Sequence, residues 1–403
     1  MGRVDNIQQL TRDAIAQTMG VNYYPASGTG DNKNLAEIDT YKLPDVGRDI
    51  DEADKNDVFT KALVVRIGKV VTERRLVPYI DPAILKDTFE YGGAIESIRL
   101  GLYEVQDDPS WNLTNGQSYA DYDYTFHQPE TSVRLFDDRK AIMISKSMTR
   151  RQLKEAFTSW DAMSAFIDGI SVAWENTLRI TINTWTRMLM SSAIAISDKA
   201  TGTAVHFVTE AIAKGILPQG ATKDDFKKSD DAMKYAFERI RNIRKYMSQD
   251  MTVAFNDKTI PCVTPIEENQ LTLLSDFASI IKTVKADTFN DDELGFGDFT
   301  EITAWQGIAS TADSETAFYK WDDISSVKIK ADATNKLGIG TEAYSKSNAV
   351  GLMWDYLSLG VSPNENYVTS NYAAGADFWN DHAHYTANYW VDSRYNIVAF
   401  FLD

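Results

Sequence analysis

Apolar residues recur down one face of the stretch 149–196 with the period of an α-helix. Met163, Ile167, Ile170, Trp174, Leu178, Ile182, Trp185 and Leu189 follow one another at steps of three and four, with Phe166, Ala173, Ile180 and Met188 beside them. Thr149-Arg150-Arg151-Gln152 fits a capping box and predicts a short helix to Phe157. Ser159, with Asp161 in the first turn, then opens a much longer helix over 159–196. No proline between Pro129 and Pro218 interrupts it. About 35 residues at 1.5 Å each give a helix roughly 52 Å long. A compact chain of this length has a radius of gyration of about 21 Å. The helix is therefore a spine.

Upstream, residues 1–57 read as a polar arm with a short helix over 7–19, a turn-rich stretch over 23–30 and an acidic segment over 45–57. So polar an arm is expected to add little to the core, so that deleting residues 1–40 should leave a folded subunit but impair its assembly. Asp57 can cap a helix carrying Val58, Phe59, Ala62, Leu63, Val65, Ile67 and Val70, which Pro78 and Pro82 end. Residues 89–105 read as extended: Gly92-Gly93 suggests a bulge, and Ile98, Leu100 and Leu102 alternate with Arg99, Gly101 and Tyr103. After a loop over 107–130, residues 132–145 are extended again. Strand, long tip and strand predict a projecting hairpin.

Downstream, residues 198–203 read as a turn, 224–247 as a helix, 251–255 as a short strand and 267–281 as another helix. Short strands such as 327–329 lie among Gly and Asp loops. From Ser347 the chain turns apolar and aromatic. Residues 395–402 are too apolar for a loose tail, so the C-terminal stretch is expected in the core. No repeat, low-complexity tract or linker stands out.

The 403 residues suffice for two or three domains. With 41 basic against 58 acidic residues the chain carries −17, which argues against general nucleic-acid or anionic-membrane binding. No apolar run reaches 18 residues, so no membrane helix is expected. Residues 1–20 hold no apolar signal core, and Asn6 stands where myristoylation needs Ser or Thr. Cys262 is the only cysteine, which excludes an intrachain disulfide and a cysteine zinc cluster and fits folding in a cytoplasm.

Candidate chemistry is sparse. His382 and His384, with Asp381 and Asp377, form the one plausible metal cluster, because an i, i+2 pair points one way on a strand. His127 and His206 are far off in sequence, and Trp379, Tyr385 and Tyr389 favour packing. Gly338-Ile339-Gly340 lacks the strand and third glycine of a dinucleotide fingerprint, and no phosphate cradle occurs. Asp287, Asn290, Asp291, Asp292 and Glu293 lack the spacing of an EF-hand and read as a solvated acidic loop. Cys262 reads as a small buried residue, and no Gly-x-Ser-x-Gly elbow exists. Nothing supports an enzyme, and no catalytic, cofactor or metal residue is assigned.

The order of segments carries a resemblance. A polar arm precedes a helix and a glycine-marked strand, Phe89-Glu90-Tyr91-Gly92-Gly93-Ala94-Ile95-Glu96. A long hairpin then feeds a spine that opens Leu153-Lys154-Glu155-Ala156-Phe157-Thr158-Ser159-Trp160. In this the chain resembles the major capsid proteins of tailed bacteriophages with the Hong Kong 97-type fold, and within them those of small short-tailed phages. The resemblance spans nearly the whole chain and rests on architecture.

It implies an α+β fold with an N-terminal arm (1–57) and a peripheral domain part (58–199) that includes the extended hairpin or E-loop (about 94–146) and the spine helix (159–196). An axial domain (200–346) follows, then a return to the peripheral domain (347–403). It also implies pentamers and hexamers of the chain, a portal protein and a scaffolding protein as partners, and a shell around DNA without sequence-specific binding. Assembly would take place in the host cytoplasm. No catalytic residue or Lys–Asn cross-link is carried over. Another ring- or shell-forming protein, such as a tail component or nanocompartment, and an enzyme without a recognisable motif are the rival readings.

Charge divides along the hairpin. Residues 107–130 hold Asp107, Asp108, Asp121, Asp123 and Glu130 and no base, a charge of −5. Residues 134–154 hold Arg134, Arg139, Lys140, Lys146, Arg150, Arg151 and Lys154 against Asp137 and Asp138, a charge of +5. The expectation is that the acidic, aromatic tip of one subunit docks on the basic root of the next.

Overall fold

The computed structural model describes residues 14–19, 43–53, 58–59, 62, 78–86, 95–103, 105, 108–111, 113, 115, 126–136, 139–156, 160–289, 299–306, 324–329 and 343–403. Helix α1 (Leu43–Glu52) precedes strands β1 (Ile95–Leu100) and β2 (Thr131–Phe136). Strand β3 (Arg139–Thr149) runs into α2 (Arg150–Ala156) and the long α3 (Trp160–Ala195). Next come β4 (Val205–His206), α4 (Phe207–Ala213), α5 (Lys223–Lys228), α6 (Asp230–Gln249), β5 (Asn269–Leu274), α7 (Ser275–Phe289) and β6 (Thr300–Ile302). The rest is strand: β7 (Val327–Ile329), β8 (Tyr344–Lys346), β9 (Ala349–Asp355), β10 (Leu359–Ala373), β11 (Phe378–Val391) and β12 (Ile397–Phe401). The chain divides into two compact units.

One unit comprises residues 1–79, 140–183 and 363–387. The expected capping box forms: Thr149 N donates to Gln152 Oε1 at 3.0 Å, and Gln152 N to Thr149 Oγ1 at 3.3 Å. The spine follows as a single 36-residue helix. A three-stranded sheet has the order β10-β11-β3. On β11, Trp379, Asp381, Ala383 and Tyr385 are buried, while Asn380, His382 and His384 occupy the other face, as the two-residue period requires.

The arm departs from expectation. Ala14, Ile15, Val46 and Ile50 are fully buried. Val46 and Ile50 lie four apart, one apolar stripe on α1, and this small stripe is enough to seat a mostly polar segment in the core. The helical residues 14–19 agree with the end of the expected first helix. Within α3, Ile180 is 55% exposed rather than packed beside the stripe.

The other unit comprises residues 80–139, 184–362 and 388–403. Its five-stranded sheet has the order β4-β12-β9-β5-β6. Antiparallel pairs β12–β9 and β5–β9 form the middle, with parallel β4 and β6 at the edges. Every residue of β9 and β12 is buried, so neither strand alternates, and apart from Asp355 both are apolar. The expected return of the C-terminal stretch to the core is thus observed. Phe207 stacks on Phe400 (5.6 Å) and Phe277 (5.9 Å), and α6 adds Met233, Ala236, Ile240, Ile243 and Met247 to the same core.

Residues 189–197 are buried on every side of α3, where Ser191, Ser192 and small apolar residues replace charges. A single π turn (Ile196–Thr201) ends the helix at Gly202, whose φ of 65° lies in the left-handed region. Ser197 Oγ accepts from Ala399 N at 2.9 Å and Thr203 Oγ1 donates to Ile397 O at 2.7 Å, which stitches the helix end to β12.

Two expected elements are replaced by others. Residues 251–255 form no strand beyond an isolated bridge, Thr252 to Cys262. Thr252 Oγ1 captures Ala254 N (3.0 Å) and Asn256 Oδ1 captures Lys258 N (2.8 Å), and such local turns compete with a ladder. The helix expected over 267–281 begins only at Ser275; residues 269–274 are β5. Leu271, Thr272, Leu273 and Leu274 are all buried, and a short apolar run buried on both faces is ambiguous in sequence. The helix expected over 224–247 is broken at Ser229, which ends α5 and caps α6 through Ala232 N. The double glycine Gly92-Gly93, the cap at Asp57, Ser159, the loop 290–293 and Gly338-Ile339-Gly340 lie outside the described residues.

Candidate assembly surface

Strands β1 and β2 pair antiparallel, with Ile98 opposite Val133, Leu100 opposite Thr131 and Glu96 opposite Leu135. Alternation gives the hairpin two faces, and they are disposed the opposite way from an ordinary surface hairpin. Ile98, Leu100, Val133 and Leu135 are 56–62% exposed. Ser97, Arg99, Ser132 and Arg134, on the polar face, are partly buried. Exposed apolar residues continue beyond the strands: Leu102, Tyr103, Val105, Trp111, Leu113 and Phe126 are 63–95% exposed. The predicted hairpin exists, and its outer face is an exposed apolar surface.

The polar face is seated on an ion pair. Arg394 and Asp392 side chains are each 1% exposed and meet at 2.7 Å. From Arg394, Nη1 donates to Ser132 O (2.8 Å) and Nη2 to Ser97 O (3.0 Å), one carbonyl from each strand. Asp392 accepts from Ser97 Oγ at 3.1 Å and from Arg134 Nη1 at 3.3 Å. Arg134 also lies 3.7 Å from Asp257, and Arg99 donates to Pro261 O at 3.0 Å with its guanidinium over the Tyr395 ring. Burial opposes the charge of Arg394, but hydrogen bonds from its guanidinium to Asp392 raise its pKa above the usual value. The sequence reading missed this pair. Its signal was Asp392-Ser393-Arg394 inside an otherwise apolar stretch, since buried charges must be paired.

Several bases of the hairpin root have partners within their own chain. Asp51 takes Arg150 Nε at 2.6 Å and Lys154 Nζ at 2.7 Å. Arg151 pairs with Glu155 at 3.2 Å, Arg134 is engaged as above, and Lys146 is partly buried, with burial and only partial relief from Asp381 pushing its amine down to about 8. The root is therefore less free to receive an acidic tip than its net charge suggests. Asp121 and Asp123 of that tip lie outside the described residues.

The histidine pair serves its own sheet. His382 Nδ1 bonds Ser145 Oγ (2.9 Å), and His384 Nε2 bonds Thr369 Oγ1 (3.1 Å) while stacking on Tyr367. Asp381 points to the opposite, buried face, and Asp377 accepts from Tyr372 OH at 2.7 Å. His206 meets Asp403 at 2.6 Å, and His127 is exposed. Among the described residues no group of three or more metal-binding side chains converges. Cys262 is buried, and burial pushes its thiol pKa up.

One further polar cluster lies beside the sheet. Lys86 Nζ donates to Tyr356 O (2.6 Å) and Ala83 O (2.8 Å), and burial pushes it down to about 7. Burial also raises Asp81 and Asp355, although Ala83 N and Thr264 Oγ1 donate to them. These groups are held by backbone and hydroxyl partners.

The family described as Phi29-like phage major capsid protein matches residues 21–401. The chain belongs to that family. Its function is therefore that of a major capsid protein, a shell-forming structural component of the virion. Solved structures agree on the fold. A chain of the capsid of Staphylococcus phage Andhra is 11% identical, with a TM-score of 0.53 over 83% of this chain and 86% of that one. A chain from the structure of head fiber and inner core protein gp22 of native bacteriophage P68 is 9% identical, with a TM-score of 0.54 over 82% of this chain and 86% of that one. The α+β architecture expected from the Hong Kong 97-type resemblance agrees with the likeness to these solved structures. A search of curated proteins finds no match. No helix among the described residues of the capsid protein is long and apolar enough to cross a membrane.

Proposed function

We propose that the capsid protein assembles as pentamers and hexamers that tile an icosahedral head around packaged DNA, each hairpin reaching onto a neighbouring copy. The observation that carries this is the hairpin surface. Ten large apolar side chains between Ile98 and Leu135 are more than half exposed. They offer on the order of 1,000 Å², against the roughly 800 Å² per partner of a stable interface. In this reading residues 1–57 are the arm and about 94–146 the extended loop. The role is structural, with no catalytic centre. A portal and a scaffolding protein are partners, and assembly takes place in the host cytoplasm. The charge of −17 keeps the shell from clinging to DNA phosphates, so DNA is enclosed without sequence-specific binding.

Electron microscopy and sedimentation of the purified chain test the proposal. Closed shells, or rings of five and six copies, are expected. A product that stays a small monodisperse oligomer under conditions that assemble related phage heads would overturn it.

A further inference from the structure

A hairpin with one apolar and one polar face ordinarily seats the apolar face on its own body, because apolar burial is the dominant favourable term. In the capsid protein the polar face is seated. The seat explains the choice. Arg394 and Asp392, both 1% exposed, present a fork and a carboxylate that the Ser97 and Ser132 carbonyls, Ser97 Oγ and Arg134 satisfy. Laying Ile98 and Val133 over the same seat would leave a buried guanidinium and carboxylate with donors and acceptors unmet. A buried ion pair is often no more stabilising than apolar residues of the same volume, so stability alone does not account for this one.

We propose that Arg394–Asp392 is an orientation lock. It keeps the apolar face of the hairpin off its own unit and open to a second copy of the chain. The occupant follows from the chemistry of the face. Arg99 and Arg134 are turned inward, so β1 and β2 offer no cation there to a nucleic acid. The exposed apolar area matches a protein interface, and in a shell the abundant neighbour of each subunit is another copy. The inference rests on the reading of the hairpin as a contact between copies.

Two sets of variants test it against wild-type shells as the control. The double variant Ile98→Ser with Val133→Ser changes only exposed side chains. It should keep the circular dichroism spectrum and cooperative melt and yield at least tenfold fewer particles at equal concentration. The lock variants are Arg394→Met with Asp392→Leu, and Arg394→Lys, which keeps a charge beside Asp392 but loses the fork. They should fold, bind several-fold less of an apolar dye as the hairpin closes on its own unit, and assemble poorly.

Wild-type particle yield from Ile98→Ser with Val133→Ser, or from either folded lock variant, overturns the inference. So does a folded lock variant that binds as much dye as wild type. Loss of the fold in both lock variants also overturns it, since the pair would then be a requirement of folding. Failure of the underlying reading is distinct: the wild-type chain itself would form no particles.

Discussion

Asp51 and Arg150, 99 positions apart, share a charge-assisted hydrogen bond of 2.6 Å at Arg150 Nε, and Lys154 approaches the second carboxylate oxygen at 2.7 Å. One arm residue thus holds two cations of the hairpin root. The carboxylate is 22% exposed and the Arg150 side chain 30%, so the pair is neither fully screened nor fully desolvated.

Replacing Asp51 with Ala should therefore cost about 1 kcal/mol, and a double-mutant cycle with Arg150→Ala should give a coupling of about 0.5–1.5 kcal/mol that falls with added salt. Chemical denaturation at two ionic strengths measures it. A coupling near zero at low salt would mean that the ion pair does not help to hold the arm.

Gly360 marks a place where a backbone and a large ring share one space. A Cβ there would run into the indole of Trp390, whose Nε1 donates to Leu357 O at 3.4 Å. Gly360→Ala should destabilise by about 1–3 kcal/mol through overpacking, and Trp390→Leu in the same chain should recover part of the loss. Thermal melts of the three variants decide the matter. An unchanged melt for Gly360→Ala would show that the ring moves freely.

Stability should depend on pH through Lys86. Its folded pKa of about 7 lies below the ordinary lysine value of 10.5, so between these values the unfolded chain binds more protons than the folded one. The destabilisation is complete below pH 7 and is relieved as pH rises toward 10.5, by a fraction of the ~1.4 kcal/mol per pH unit that one full proton is worth. Lys146, pushed down to about 8, acts in the same direction from pH 8 upward. Asp81 and Asp355, raised by burial, act in the acid range, where stability grows as pH falls through their folded pKa values toward 3.8. Denaturation of wild type and Lys86→Met from pH 6.5 to 9.5 should show a rising stability whose slope is smaller in the variant. Parallel curves would remove Lys86 as the cause.

Local chemistry alone determined the long elements. The apolar period of the spine, the Thr149–Gln152 box and the alternation of β1 and β2 each depend on residues within a few positions of one another, and each is found where the sequence puts it. Strand β5 and the loop at 251–255 depended on what lies opposite. A run such as Leu271–Leu274 becomes a strand because β9 and β6 flank it, which no local period encodes.

The same limit applies to the assembly surface. Alternation established that the hairpin has a polar and an apolar face, but not which one is turned inward. That was decided by Arg394 and Asp392, about 260 to 300 residues away in the chain, because a buried charge pair accepts only a polar neighbour. Net charge marked the root as basic, while tertiary structure gave Arg134, Arg150 and Lys154 partners at Asp392 and Asp51. Sequence distance hides such pairings, and only folding makes them neighbours.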